Sequence, residues 1–482
     1  MKQFMNICLT LIAVTMAAVT PFAAYADTNQ PASPANTPEH VAEAVAKETT
    51  PANPALAALE ALPDWFPKLL GGQFNGVYQN VPPFHSPYVG PNSFTPTRGQ
   101  DWRDSTQTYG VYLGSQITST LQAYLDVELF RGNGVSDGVG LAGNVNGDVV
   151  RAGSSNLPKS PYVARMYLRY YIPLSSETEK VERAMDQLPG DQPVSRWEVK
   201  AGRLALTDDF DQNRYANNNR TQFLNYDFLF NTSWDYAADT RGYSYGITTA
   251  LYQPRWRLAL GVFMEPNTVN GAVYDWMNTQ ELGYNLELTL KPNNAGTVVR
   301  LLTYFNEARM GDYNAALALG QSTSSVPSLL NVEKQGGTKY GFAVNFEQPL
   351  ADEGETGIFG RLGWNDGTHE TWAYVESDRH ASLGGQINGV HWGRKEDCIG
   401  LAYGISGLST QHKDYLKAKG IGMLLGDDGL NYGLEQVFEA YYRVQLGPYV
   451  QITPDFQLIQ NPGFNKDRGP AEVYGLRTHV SF

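Results

Sequence analysis

The stretch VYGLRTHVSF, residues 473–482, alternates between two kinds of side chain. Every second residue from Tyr474 to Phe482 forms one set, which is mostly apolar, whereas the residues between them include Arg477 and His479. We call these two alternating sets the two parities of the strand. Alternation over this length predicts a β-strand with one apolar and one polar face. Because chain ends are usually loose and polar, a finished amphipathic strand here predicts that its edge is paired with another strand.

The same period of two recurs along the chain from about Leu69 onward. Clear examples are WRLALGV (256–262), ELGYNLELTLK (281–291) and KYGFAVNFE (339–347). About sixteen such segments can be counted, and single-chain bacterial barrels use even strand numbers, so we predict sixteen strands. After the first 26 residues, no run of 18 uninterrupted apolar residues predicts a transmembrane helix.

A soluble β-sandwich would alternate as well, but its polar face would carry many Lys and Glu residues. Here the polar parity is often Gly, Asn, Gln, Tyr or Arg, and aromatic residues recur at segment ends, as at Tyr170, Tyr441 and Trp364. Interfacial girdles of membrane barrels place aromatic residues at such positions. We therefore predict an all-β fold, a transmembrane antiparallel β-barrel. Its interior would be too wide for side chains to fill, which implies an aqueous channel unless a loop narrows it.

The N-terminal part of the chain has a different character. Residues 1–26 read as a secretory signal peptide, with an apolar run before the small-residue site Ala24-Tyr25-Ala26. Residues 27–68 are rich in Pro and Ala and are predicted to be largely disordered with short helical turns. They could lie in the periplasm or plug the pore. Residues 69–482 are the predicted barrel domain.

Composition excludes several classes of protein. The chain has 36 Lys and Arg against 49 Asp and Glu, which disfavours a nucleic-acid binder because such proteins need a basic surface. Cleavage of the signal would leave Cys398 as the one cysteine, so no intrachain disulfide is expected. The seven histidines form no HExxH motif, and GISGL at 404–408 is not GxSxG, so we predict neither an enzyme nor a cofactor.

One stretch partly matches a calcium loop. The sequence DFDQN at 209–213 begins like such a loop, but Arg214 replaces the turn glycine and Arg220 replaces the bidentate glutamate. No metal site is predicted from this pattern, although calcium binding of another kind near Asp209 stays open.

The longest polar interruption, Asp208–Gly246, combines acids, amides and arginines with many aromatic residues. This mixture predicts a loop that folds into the barrel and forms a constriction. Its chemistry suits a sugar, because hydroxyl groups need paired donors and acceptors while pyranose C–H faces need flat aromatic surface. A second such stretch, Trp364–Arg379, could line the lumen or form an external loop.

Several motifs together carry a family resemblance. They are PYVAR (161–165), QFLN (222–225), WDYAADTRGYSYG (234–246), GWNDG (363–367), GLSTQHKDYL (407–416), EAYYRVQL (439–446) and NPGFNKDRGPAEVYGLRTHVSF (461–482). In this order they resemble the carbohydrate-selective porin family of Gram-negative outer membranes (OprB type). The resemblance extends from about Gly72 to Phe482.

The resemblance implies a porin that passes glucose and other small sugars passively across the outer membrane. It places six residues at or near the pore eyelet, which are Arg165, Arg220, Trp234, Asp235, Asp239 and Arg241, and strand parity adds Arg169 and Arg361 to the predicted eyelet residues. Strand parity independently predicts that Arg165, Arg169 and Arg361 point inward. Arg165 and Arg241 would orient sugar hydroxyls, the two aspartates would accept hydrogen bonds from them, and Trp234 would offer a stacking face.

The expected partners are small sugars, the lipid bilayer and, through Phe482, the barrel-insertion machinery. Nucleic acid is not an expected partner, and a monomer and a homotrimer both fit the sequence. Two alternatives stay open. One is a general or anion-selective porin with the same fold, and the other is an outer-membrane enzyme or binding protein.

Overall fold

The structure is a computed structural model that describes residue 63 and residues 65–95, 103–148, 160–277 and 280–482. The predicted signal peptide and most of the predicted tail lie outside these residues. The described strands are β1 (Lys68–Asn80), β2 (Arg103–Gln116), β3 (Leu121–Arg131), β4 (Tyr162–Pro173), β5 (Thr178–Val181), β6 (Gly190–Pro193), β7 (Arg196–Leu204), β8 (Ser244–Gln253), β9 (Trp256–Met264), β10 (Leu282–Leu290), β11 (Val298–Met310), β12 (Lys334–Ala351), β13 (Thr356–Asn365), β14 (Arg379–Asn388), β15 (Cys398–Gly407), β16 (Glu435–Leu446), β17 (Val450–Gln460) and β18 (Ala471–Ser481).

Within the described residues, all strands except β5 and β6 form one closed antiparallel barrel of sixteen strands. Neighbours in sequence pair with each other, and β1 closes the ring by pairing with β18 from Gln73↔Ser481 to Asn80↔Tyr474. The backbones of Gly72 and Phe482 exchange two hydrogen bonds of 3.2 Å at this seam. None of the sixteen described barrel strands has an open edge, as a hydrocarbon environment requires. The predicted fold class and strand number are confirmed.

The two faces of the barrel differ as the period of two predicts. On β4, Met166 and Leu168 are about half exposed, whereas Arg169 between β3 and β7 is buried. The same contrast separates the exposed Leu362 from the buried Arg361 on β13. Apolar side chains therefore cover the outside of the barrel, where a membrane barrel meets lipid, and polar side chains line the inside.

The connections differ in length at the two ends of the barrel. At the short-turn end, β8–β9, β12–β13 and β16–β17 are joined by residues 254–255, 352–355 and 447–449. At the long-loop end, longer segments such as 205–243 and 408–434 join neighbouring strands. In outer-membrane barrels the short turns face the periplasm and the long loops face outward.

Helices occur in the long connections. They are α1 (Tyr226–Leu229), α2 (Tyr313–Thr323) and α3 (Thr410–Lys417). The carboxylate of Asp312 caps α2 by accepting from the N–H of Ala315, and the hydroxyl of Ser409 caps α3 by accepting from the N–H of His412. None of the helices in the described parts of the chain has the length and apolar character needed to cross a membrane.

Candidate functional site

Residues 205–243, here called the inward loop, join β7 to β8 and fold into the barrel. Glutamates on three strands hold the backbone of this loop. Glu287, Glu347 and Glu439 accept hydrogen bonds of 2.6 to 2.9 Å from backbone N–H groups of the loop. Hydrogen bonds to a charged acceptor are stronger than neutral ones, so the wall of the barrel fixes the path of the loop through the interior.

Arg361 on β13, the neighbour of β12, also anchors the inward loop. Its guanidinium lies 3.0 Å from Oδ2 of Asp211, and it donates to the carbonyl oxygens of Phe228 at 2.8 Å and Ala216 at 2.7 Å. The side chain of Arg361 has no exposed surface. It points inward, as parity predicts, but it lies behind the inward loop and does not line the channel.

Trp234 is also enclosed by protein. It is completely buried in a cluster with Phe210 and Tyr236, and its indole Nε1 donates to Oδ1 of Asn285 at 2.8 Å. Neither face of the ring is open to a solute. The expectation that Trp234 offers a stacking surface at the eyelet does not fit this burial.

The carboxylates of Asp235 and Asp239 form hydrogen bonds and ion pairs with other groups of the protein. Asp235 accepts from the backbone N–H groups of Trp372 and Ala373, each at 2.9 Å, and lies 3.4 Å from Nζ of Lys339. Asp239 pairs with Arg203 at 2.6 Å. Both aspartates are buried. They therefore shape the inward loop and attach it to its neighbours, so their carboxylates are not free for a passing solute.

The structure brings the three other predicted arginines of this region together at one cavity. Arg165, Arg220 and Arg241 line a space of about 720 Å³, here called the larger cavity. Arg165 pairs with Asp208 at 2.6 Å, and Arg220 lies 3.0 Å from Glu128.

Arg241 differs from the other two arginines. Its guanidinium lies over the ring of Tyr162, 4.5 Å from the centroid, and no ion pair to it is found among the described residues. A cation held by one aromatic face keeps its N–H donors available for another partner. Of the predicted eyelet residues, Arg241 is thus the one best placed to donate to a solute.

Eight aromatic side chains also line the larger cavity, among acidic and amide side chains. Those that line it are Tyr112, Phe130, Tyr167, Tyr226, Phe230, Tyr236, Tyr243 and Tyr374. Tyr374 stacks against Tyr226 and Tyr236 with centroid distances of 5.8 Å in both cases. None of these rings is among the eyelet residues predicted from the sequence. The signal available in the sequence was the high density of aromatic residues in Asp208–Gly246 and Trp364–Arg379. The choice of Trp234 among those residues came from the family resemblance.

A second space of about 300 Å³, here called the smaller cavity, is lined by Arg169 and by other charged residues. Among the latter, Glu198 and Lys200 were not predicted from the sequence to line the lumen. Arg169 pairs with Glu198 at 2.8 Å, and Lys200 pairs with Asp209 at 2.8 Å. The two cavities share several lining residues, which are Tyr167, Asp186, Gln187, Lys200, Asp208 and Gln212. They are therefore neighbouring parts of one lumen. Arg169 belongs to the smaller part.

No cluster of three or more His, Cys, Asp or Glu side chains in the described ranges could hold a metal ion. In the calcium-like stretch at 209–213, two carboxylates form ion pairs with basic side chains. Asp209 pairs with Lys200, and Asp211 pairs with Arg361.

A family model described as carbohydrate-selective porin, OprB family, matches residues 173–482. The chain belongs to the OprB family. The predicted family is confirmed, and with it the location in the outer membrane of a Gram-negative bacterium.

This OprB-family porin has distant relatives of known sequence and structure. It is 24% identical to Porin AaxA of Chlamydia felis over 59% of this chain and 54% of that protein. It is 26% identical to the putative porin QuiX of Acinetobacter baylyi over 59% of this chain and 65% of that protein. The chain spans about half the length of the AaxA relative. The high-pH structure of Pseudomonas putida OprB is similar in fold, with a TM-score of 0.63 and 16% identity over 86% of this chain and 94% of the other.

Proposed function

We propose that this porin lets small carbohydrates such as glucose diffuse passively across the outer membrane. The observation that carries the proposal is the lining of the larger cavity, where tyrosine rings lie beside arginines and carboxylates. Aromatic faces pack against the C–H faces of a pyranose, and charged donors and acceptors replace the water around its hydroxyl groups. This pairing of chemistries fits a sugar better than it fits a simple ion.

Arg241 is the proposed donor to sugar hydroxyls, because its guanidinium has an aromatic partner but no acidic one. Arg165 and its partner Asp208 offer both donors and acceptors to the same space, and Arg220 lines it as well. Tyr374 takes the stacking role expected of Trp234. Weak contacts at several positions suffice for diffusion, since tight binding would slow the exit of the solute. No covalent step is needed, so the proposal includes neither an enzymatic activity nor a cofactor.

The N-terminal segments keep the roles that their composition indicates. Residues 1–26 are proposed to direct export, and residues 27–68 to form a tail before the barrel domain at 69–482. Phe482, whose backbone pairs with Gly72 at the seam, is the proposed contact for the barrel-insertion machinery.

The test is a liposome-swelling series with purified protein. Glucose is compared with a neutral amino acid and with phosphate at matched osmolarity, and empty liposomes serve as the control. Faster entry of glucose than of the amino acid supports the proposal. Entry rates that follow size alone indicate a general porin, and fastest entry of phosphate indicates an anion-selective porin. Either of these results overturns sugar selectivity.

A further inference from the structure

A second segment enters the lumen, from the end opposite to the inward loop. Residues 174–195, here called the hairpin segment, connect β4 to β7 at the short-turn end and contain the paired strands β5 and β6. At the tip, the backbones of Ala184 and Gln187 exchange two hydrogen bonds of 3.1 Å around a turn formed by Met185 and Asp186. At 22 residues, this connection is much longer than the neighbouring ones at the same end, which are residues 117–120 and 254–255.

The tip of the hairpin segment is held against the inner wall. Leu188 is buried in a cluster with Leu70 and Tyr124, and Met185 packs against the same cluster. The backbone N–H of Leu188 donates to the hydroxyl of Tyr124 at 3.3 Å. These contacts lie on β1 and β3, on the inside of the barrel, so the tip is docked and does not hang free in the periplasm.

Docking brings Asp186 to the boundary between the two cavities. Its Oδ2 lies 3.7 Å from Nη1 of Arg165, and Nε of the same arginine lies 2.6 Å from Oδ2 of Asp208 in the inward loop. Both carboxylates are about one-third exposed, and both residues line both cavities. Arg165 therefore joins two segments that enter the lumen from opposite ends.

We propose that Asp186 is a specificity-determining residue, and that the tip of the hairpin segment and the inward loop together form the constriction of this channel. Two partly exposed carboxylates share one guanidinium there, while the nearby Lys200 is already paired with Asp209. Arg165 also pairs with the buried Asp126 at 3.2 Å, so its single positive charge is shared by three carboxylates and Asp186 adds a partly exposed negative charge at this boundary. In a narrow pore such charge favours cations and hydrogen-bond donors over anions. The inference deepens the proposed function and rests on the chain forming an open channel.

The test uses the full-length protein in planar bilayers. Asp186→Asn removes the charge and keeps the size, and Asp191→Asn is the matched control, because Asp191 is exposed on β6 of the same hairpin and lines neither cavity. We expect Asp186→Asn to lower the potassium-to-chloride permeability ratio by about twofold or more, since a fixed charge in a narrow lumen acts over a short distance. Asp191→Asn should leave the ratio unchanged.

A second pair of variants tests the position of the tip without relying on charge alone. Asp186→Cys and Asp191→Cys are treated with a cationic methanethiosulfonate reagent. Cys398, the one cysteine in the described part of the chain, is buried, so the unchanged protein controls for the reagent. Modification at 186 should reduce the single-channel conductance by about half or more, because a bulky group would occupy the constriction. Modification at 191 should not.

The outcomes separate this inference from the proposed function. If the unchanged protein conducts and takes up sugar but both variants at 186 behave like those at 191, the hairpin segment is not part of the constriction and only this inference fails. If the unchanged protein forms channels without sugar preference while the variants at 186 differ, the constriction stands and sugar selectivity fails.

Discussion

The guanidinium of Arg361 and the carboxylate of Asp211 lie 3.0 Å apart, and neither side chain has more than 1% of its surface exposed. The same arginine donates to backbone carbonyl groups of the inward loop. Removal of one partner of a buried charge pair leaves the other charge without compensation. This contact therefore holds the inward loop in the lumen.

We expect Arg361→Met to release the inward loop and to destabilise the barrel by about 3–5 kcal/mol, the usual cost of breaking a buried ion pair. The single-channel conductance should rise, because the loop no longer narrows the lumen. Arg255→Met is the control, since Arg255 is exposed at the β8–β9 turn. Unchanged conductance and unchanged thermal unfolding in Arg361→Met would contradict the anchoring role.

Arg241 should contribute directly to the passage of sugar. We expect Arg241→Gln to weaken the block of ion current by glucose about tenfold, which corresponds to about 1.4 kcal/mol for the loss of one charged hydrogen bond. The folding of the barrel should be unaffected, because the guanidinium makes only the aromatic contact with Tyr162. The measurement is titration of the open-channel current with glucose, and an unchanged concentration for half-block would remove Arg241 from the eyelet.

His412 on α3 should make the long-loop end sensitive to alkaline pH. Its imidazole lies 3.0 Å from Asp378 and 3.3 Å from Glu376. Burial lowers the pKa of His412, but Asp378 and Glu376 outweigh this effect and raise the pKa to about 9. Because this value exceeds the ordinary pKa of about 6.5, the stabilisation is complete below about pH 6.5 and is lost as the pH rises through about 9.

We therefore expect amide hydrogen exchange in α3, corrected for the intrinsic rate, to accelerate between pH 7 and pH 10. His412→Gln should exchange faster already at pH 7 and show no further pH dependence. Amides of β10, which pairs with β9 and β11, provide an internal comparison. Protection of α3 that is constant up to pH 10 would refute the role of the imidazolium.

Asp227 in α1 should have the opposite kind of effect. Both of its carboxylate oxygens are buried, with no hydrogen-bond partner among the described residues, and burial raises the pKa of Asp227 to about 7. The folded protein thus binds this proton more tightly than the unfolded chain does. The contribution to stability is complete below about pH 4 and is lost as the pH rises to about 7.

Asp227→Asn should accordingly stabilise the protein at pH 8 by about 2–4 kcal/mol and change little at pH 4. Thermal unfolding at the two pH values measures this difference. Asp191→Asn, at an exposed position, should have no effect at either pH. Equal effects of Asp227→Asn at both pH values would mean that its carboxyl group is not the cause.

Individual side chains show how far the sequence leads. The inward orientation of Arg165 and Arg169 follows from parity alone, because neighbouring side chains of a strand point to opposite faces. Parity also places Arg361 on the inner face of the barrel, but parity cannot predict that the inward loop covers this side chain. The resemblance predicted that Trp234 lies at the eyelet, whereas in the structure contacts with Phe210 and Asn285 enclose its ring.

The hairpin segment shows the same limit. Its sequence is polar and reads as an ordinary connection, and the docking of Leu188 depends on side chains of β1 and β3. Tyr374 likewise reaches the larger cavity through a loop that joins β13 to β14. The composition of Trp364–Arg379 indicated that this stretch could line the lumen, but no local pattern singled out Tyr374 or the docked tip.

The sequence by itself determined the barrel class, the number of strands, the two faces of the barrel and the family, because the alternation of side chains is a local property of each strand. It also predicted a strand at 371–376, which is a loop in the structure. The tertiary structure decided which inward side chains meet the open lumen. That choice depends on contacts between residues far apart in the chain, such as Arg361 with Asp211 and Asp186 with Arg165. A period of two can place a side chain inside a barrel, but only the folded loops decide whether water or protein lies in front of it.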